Sequence, residues 1–228
     1  MALKMESRPV GDVLVVQCQG RIVAGKEVFA LHAYVGDSFV KYVDIVMQLD
    51  QVEFIDSSGL GALTRLMHTA RSKNGDIKLS GVPPAIRKVL EMTKLISLFE
   101  TYDTVEEAIT AAYLGSRYSR GLAGDARPRV LCLFESSDVR AFLKEILLGA
   151  GYNAMTTANI DDAKILLKAT KAKHVVVSAN LQSVYGRPTR KVLEEIDPAV
   201  SMTVLDEDFA TKDPAEAAEK LLNSIGGQ

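Results

Sequence analysis

Tryptophan is absent from this chain of 228 residues, cysteine occurs twice and histidine three times. Cys18 and Cys132 each sit inside an apolar run that reads as a strand. Both are therefore expected as core thiols of different domains rather than as a disulfide, which a reducing compartment would disfavour. His32, His68 and His174 lie far apart, with no cysteine or carboxylate at ligand spacing, which argues against a metal site. No Gly-rich phosphate loop, HExxH or GxSxG occurs; no catalytic residue and no cofactor is expected, and the chain is not expected to be an enzyme. Charge of one sign is also lacking: 27 basic against 29 acidic residues leave a net −2. That balance advertises neither nucleic acid nor an anionic membrane as partner. No apolar run approaches the roughly 18–20 residues of a membrane span. The opening Met1-Ala2-Leu3-Lys4-Met5-Glu6 carries no apolar signal segment, so a cytoplasmic location is expected.

What is present is ordinary globular material, 47% hydrophobic and 25% charged. The length suits two small domains, since single domains cluster at about 100–150 residues. One stretch reads as a joint: Gly115-Ser116-Arg117-Tyr118-Ser119-Arg120-Gly121-Leu122-Ala123-Gly124-Asp125-Ala126-Arg127-Pro128. It mixes Gly, Ser, Arg and a terminal Pro and has no apolar period. The expected organisation is a first domain over residues 1–115, a linker over 116–128 and a second domain over 129–228.

Strands and helices alternate on both sides of the joint. In the first half Val13 to Cys18, closed by Gly20, reads as a buried strand, and Ile45 to Leu49, Ile77 to Leu79 and Phe99 to Tyr102 as others. Helical stripes fall between them: Val28, Leu31, Val35 and Phe39; Leu60, Leu63, Met67 and Ala70; Ile86, Val89 and Leu90 after Pro83-Pro84; and Val105, Ala108, Ile109 and Ala112. In the second half the strands are Val130 to Phe134, Asn153 to Thr156, His174 to Ser178 and Met202 to Leu205. Helices are expected from Val139, over Ile160 to Ala169, near Arg190 to Ile196 and over Pro214 to Ile225. The fold class is α/β: a layer with a mostly parallel sheet, then about five β/α units in a flavodoxin-like, doubly wound parallel sheet.

The densest stretch is Val52-Glu53-Phe54-Ile55-Asp56-Ser57-Ser58-Gly59-Leu60-Gly61-Ala62-Leu63. It reads as a strand, a tight turn and a helix start, with Ser57 or Ser58 placed to cap the helix and Gly59 and Gly61 to allow close packing. Phe54 to Gly61 resembles the signature of STAS domains of the anti-sigma-factor antagonist family. Leu79-Ser80-Gly81-Val82-Pro83-Pro84-Ala85-Ile86-Arg87-Lys88-Val89-Leu90 resembles the family's next strand, loop and helix, and Leu98 to Ala108 its last strand and helix. The similarity runs over about residues 5–114, in order.

The resemblance implies a phosphorylation-gated binding module. Its phosphorylated serine matches Ser57, and the partner-binding residues would be Asp56, Ser57, Ser58 and Gly59. Its partner would be an anti-sigma factor that is also a serine protein kinase, sequestered only by the unphosphorylated form in a partner-switching pathway of transcription regulation. A phosphoryl group adds about −1.5 to −2 charge at a helix start whose free amides would receive it. The alternative within the family is a STAS scaffold or adaptor in a stress-sensing or transporter-associated complex, in which the serine is not phosphorylated. One departure is local: many members carry an acid just after the first long strand, whereas here Gly20-Arg21-Ile22 is followed by Val23 and Ala24.

Residues 129 to about 225 resemble a response-regulator receiver domain in layout, through Arg129 to Arg140 and the turn Gly151-Tyr152-Asn153. Receivers need an acid pair after the first strand and an aspartate after the third, for Mg²⁺ and phosphoryl uptake. Phe134-Glu135 stands at the first place and Ser178 at the second, while Lys212 is the counterpart of the receiver lysine. The resemblance therefore implies a degenerate pseudo-receiver that docks or forms a homodimer, rather than an aspartyl phosphotransferase. Independent halves predict that limited proteolysis cuts first between Gly115 and Arg127, read by intact-mass spectrometry of the early fragments; first cuts inside either half would refute the boundary.

Overall fold

The structure is a computed structural model and describes residues 2–119, 127–181, 183–206, 209 and 214–226. Most of the expected linker, residues 120–126, and both Lys212 and Asp213 lie outside the described residues. The chain divides into two compact units, Met1–Gly124 and Asp125–Gln228.

In the first unit, runs of Val, Ile and Leu build five strands: β1 (Lys4–Val10), β2 (Val13–Ile22), β3 (Asp44–Ile55), β4 (Ile77–Ser80) and β5 (Glu100–Tyr102). They lie side by side in chain order. β1 and β2 form an antiparallel hairpin, and every later pair is parallel. Helices α1 (Lys26–Ser38), α2 (Ser57–Ser72), α3 (Pro84–Met92) and α4 (Val105–Ser119) connect or follow them. The stripes of α1, α2 and α3 pack on one face with Leu14, Val16, Ile45, Met47, Ile77 and Leu79. The opposite face carries Val13, Val15 and Val46, equally buried, and there α4 sets Ala108, Ile109 and Ala112 against the sheet. Cys18 is wholly inside, and burial pushes its thiol up to about 12.

The strands differ from the sequence reading in extent. β1 was not expected at all, because Lys4, Glu6 and Arg8 break its apolar pattern; it is an edge strand whose charges face out. β3 does not stop at Leu49 but continues to Ile55. Its inward residues are Ile45, Met47, Leu49, Val52 and Ile55, so the spacing changes from two to three beyond Leu49. The register explains this: Gln17 faces Gln48 but Gln19 faces Gln51, and Gly20 faces Val52 but Arg21 faces Phe54. At each step β3 carries one extra residue, a β-bulge, which re-aims the side chains that follow. β2 likewise runs on past Gly20 to Ile22.

The second unit has β6 (Arg129–Leu133), β7 (Asn153–Thr157), β8 (His174–Ser178) and β11 (Ser201–Leu205) in a parallel sheet of order β11-β8-β6-β7. A short hairpin, β9 (Ser183–Val184) with β10 (Arg187–Pro188), interrupts the alternation. The helices are α5 (Ser137–Gly149), α6 (Ile160–Thr170), α7 (Thr189–Glu194) and α8 (Pro214–Gly226). Among the described residues this makes four β/α units, not five, and the hairpin forms a separate two-stranded sheet. Val130, Cys132, Leu143, Leu147 and Leu221 share one core face. Leu131 and Leu133 point the other way and are also fully buried, with α6 against that face. The Cys132 thiol is pushed up to about 12 by its burial.

One tether on α4 is specific. The buried Tyr113 hydroxyl donates to the Val10 carbonyl at 3.2 Å and accepts from the Asp12 amide at 2.7 Å, pinning the helix to the β1–β2 turn. Tyr113→Phe removes both bonds, and urea denaturation is expected to show a loss of about 1–2 kcal/mol in stability.

Candidate functional site

β2 and β3 run parallel and end together, and α2 begins at once. The last residues of β3 are Phe54, half exposed, and Ile55, turned into the core. Asp56 then takes extended backbone angles and serves as the N-cap of α2. Its Oδ1 accepts the Gly59 amide at 2.8 Å, and its Oδ2 accepts the Ala24 amide at 2.8 Å. Its own amide donates to the Ile22 carbonyl at 3.2 Å. One carboxylate thus joins the end of β3, the start of α2 and the loop between β2 and α1. The Ala24 and Gly59 amides, then the Ser58 amide and the Arg21 charge, hold the Asp56 carboxyl below the usual aspartate range against some desolvation.

The cap is therefore Asp56 and neither Ser57 nor Ser58, which occupy the first two helical positions. The physical reason is reach: a carboxylate with two acceptors satisfies two separate amides, whereas one hydroxyl satisfies one. Ser57 is exposed and Ser58 half-buried. Gly59 is buried because α2 lands on the end of β2; a Cβ there would stand 2.3 Å from the Ile22 carbonyl oxygen and 2.7 Å from Ile55. Gly61 has no such role, since a Cβ would meet only the side chain of Arg65 at 3.3 Å.

Two further residues belong to this surface and were not read as site residues. The Arg21 guanidinium lies over the Phe54 ring at 5.0 Å, a consequence of the second bulge, which brings the two residues opposite one another. A bulge leaves little trace in a single sequence, so no sequence signal brought the two together.

The second unit brings Glu135 and Ser178 to one cavity of about 240 Å³, past the carboxyl ends of β6, β8 and β11, together with Phe134, Asn180, Asp206 and Phe209. Phe134 is buried and turned into the core, and the Ser178 hydroxyl accepts the Asn180 amide at 3.4 Å. Among the described residues no group of three His, Cys, Asp or Glu side chains could hold a metal ion, in either unit. Two of the three histidines are engaged singly: His32 with Arg65, and His174 between Ser201 and Thr203.

A sheet with three helices on one face and one on the other, presenting an aspartate-capped serine turn beyond its parallel strands, defines the class: a small α/β domain with its distinctive chemistry at one helix start. The family model described as STAS domain matches residues 4–108. An anti-sigma F factor antagonist of Paenibacillus polymyxa is 32% identical over 66 residues, which cover 29% of this chain and 56% of that protein. The chain thus spans little more than half the length of that relative. A STAS-domain containing protein of Pseudomonas aeruginosa is 33% identical over 94 residues, 40% of this chain and 88% of that protein. Among solved structures, an anti-sigma factor antagonist from Mycobacterium paratuberculosis is 27% identical, covers 49% of this chain and 94% of its own, and has a TM-score of 0.39. The chain belongs to the STAS-domain family through its first unit.

Asp56→Ala removes both carboxylate bonds and is expected to cost about 1–2 kcal/mol at neutral pH. The folded-state titration of Asp56 is depressed, so its contribution is complete above the unfolded value of about 3.9 and fades as pH falls through the lower folded value. Paired urea titrations from pH 7 to pH 3 check this: the gap between parent and variant narrows at the acid end.

Proposed function

We propose that this protein is an anti-sigma-factor antagonist, a partner-binding switch gated by phosphorylation of Ser57. The observation that carries the reading is the position of Ser57. It is exposed, it follows the capping aspartate, and it sits on a turn whose geometry is fixed by Asp56 and Gly59 rather than by its own hydroxyl. A kinase can therefore transfer a phosphoryl group to its oxygen without breaking a bond that holds the turn. The partner is an anti-sigma factor with serine protein kinase activity, which docks on the surface formed by Asp56, Ser57 and Ser58, with the buried Gly59 fixing the turn from behind. Relatives named as anti-sigma factor antagonists support the reading. New charge in that contact surface opposes binding through repulsion and desolvation.

The second unit is, in the same proposal, a pseudo-receiver of flavodoxin type that docks or dimerises. Its parallel order β11-β8-β6-β7 and its cavity at the point where the strand order reverses support the comparison with doubly wound folds. Phe134 in the core and Ser178 at a strand end supply no phosphoacceptor aspartate.

Ser57→Asp tests the switch. Its circular dichroism and melting curve should match the parent within about 1 kcal/mol, because a carboxylate near a helix N-terminus is tolerated. Its affinity for a partner captured from the source cell with Ser57→Ala bait should fall 10-fold or more, on the order of 1.4 kcal/mol. Binding as tight as the parent's, or phosphate mapped to another residue, would replace the switch with a scaffold or adaptor role.

A further inference from the structure

A phosphate on Ser57 meets a problem that the sequence does not reveal. The amides at a helix start ordinarily receive an anion, but in α2 the Asp56 carboxylate already accepts the Gly59 amide and draws on that of Ser58, while Leu60 donates to the Asp56 carbonyl. Of the first turn only the Ser57 amide is left. Asp56 also brings a negative charge next to the modified residue. A dianion placed there needs a counter-charge from outside the helix.

Two cations border the turn. Lys26 is the first residue of α1, two positions past the tethered Ala24. Arg21 stands one residue before Ile22, whose carbonyl lies against the first turn of α2 and accepts the Asp56 amide. Arg21 is exposed, and no carboxylate among the described residues forms an ion pair with it. Its charge already reaches Asp56. Its guanidinium is also pre-positioned, because its central carbon is held 5.0 Å from the centre of the Phe54 ring. The guanidinium's fork of N–H donors matches two phosphate oxygens in a way an ammonium cannot.

We infer that Arg21, held over Phe54, is the counter-charge that receives the phosphate on Ser57. This rests on the reading of Ser57 as the modified residue, and it adds the group that makes the modified state stable within the domain. The Arg21–Phe54 platform is then part of the switch: in the unmodified protein it offers a cation on an aromatic ring to the partner, and in the modified protein that cation is spent on the phosphate.

The test installs phosphoserine at position 57 during synthesis, so it does not depend on whether any kinase acts there. The phosphate is titrated by ³¹P NMR in the parent chain, in Arg21→Gln and in Lys26→Gln. A paired guanidinium favours the dianion, so the second ionisation of the parent should fall below the usual value of about 6. In Arg21→Gln it should rise by about half a pH unit or more, a roughly threefold weaker preference for the dianion, whereas Lys26→Gln should titrate like the parent. Equal values in the parent and Arg21→Gln, or a rise confined to Lys26→Gln, would overturn the assignment. Phosphosite mapping after kinase treatment of the unmodified chain separately tests whether Ser57 is the acceptor.

Discussion

The first unit depends on a single carboxylate with two obligations. Asp56 closes α2 through the Gly59 amide and holds the β2–α1 loop through the Ala24 amide. Neither bond is large alone, but together they bind three chain segments that meet only at this point. Because the aspartate satisfies the turn, the serine after it is relieved of structural duty. That division of labour lets an exposed hydroxyl sit at a rigid place, where a chemical change alters the surface without loosening the fold. The glycine two residues further on completes the constraint from the other side, since any side chain there would push α2 off the end of β2.

The α/β alternation and eight of the nine strands in the two main sheets were legible from period and β-branching alone, because buried parallel strands read as short apolar runs. What escaped has physical causes. β1 is an edge strand whose charges hide its pattern. The far half of β3 was lost because two bulges change the inward spacing, so a strict alternation fails after Leu49 although the strand goes on. The four strands read after the joint are the four of the sheet, so they make four units where five were expected.

The site was legible as a place and less so as a mechanism. Asp56-Ser57-Ser58-Gly59 marked a strand-to-helix turn, yet which residue caps depends on backbone angles that propensity does not supply. Ala24 contributes through its backbone amide, so its side chain gives no hint of its part. The departure from an expected acid fell on Val23 and Ala24 and did not single out Arg21, whose place over Phe54 follows from pairing across strands rather than from either residue alone. In the second unit Asp206 reaches the same cavity as Glu135 from a strand end more than seventy residues away in the chain, a proximity that only the topology creates.

The two extra residues in β3 make chain length part of the information at this turn. Each bulge resets which side of the sheet the next residues face, so Val52 and Ile55 reach the core and Phe54 does not. Removing one residue between Leu49 and Phe54 would rotate everything downstream by half a strand period, turning Ile55 outward and Phe54 inward, with every side chain at the turn still present. The surface is therefore encoded by counting as much as by composition, and a chain that kept the motif but lost a bulge would carry the letters of the switch without its geometry.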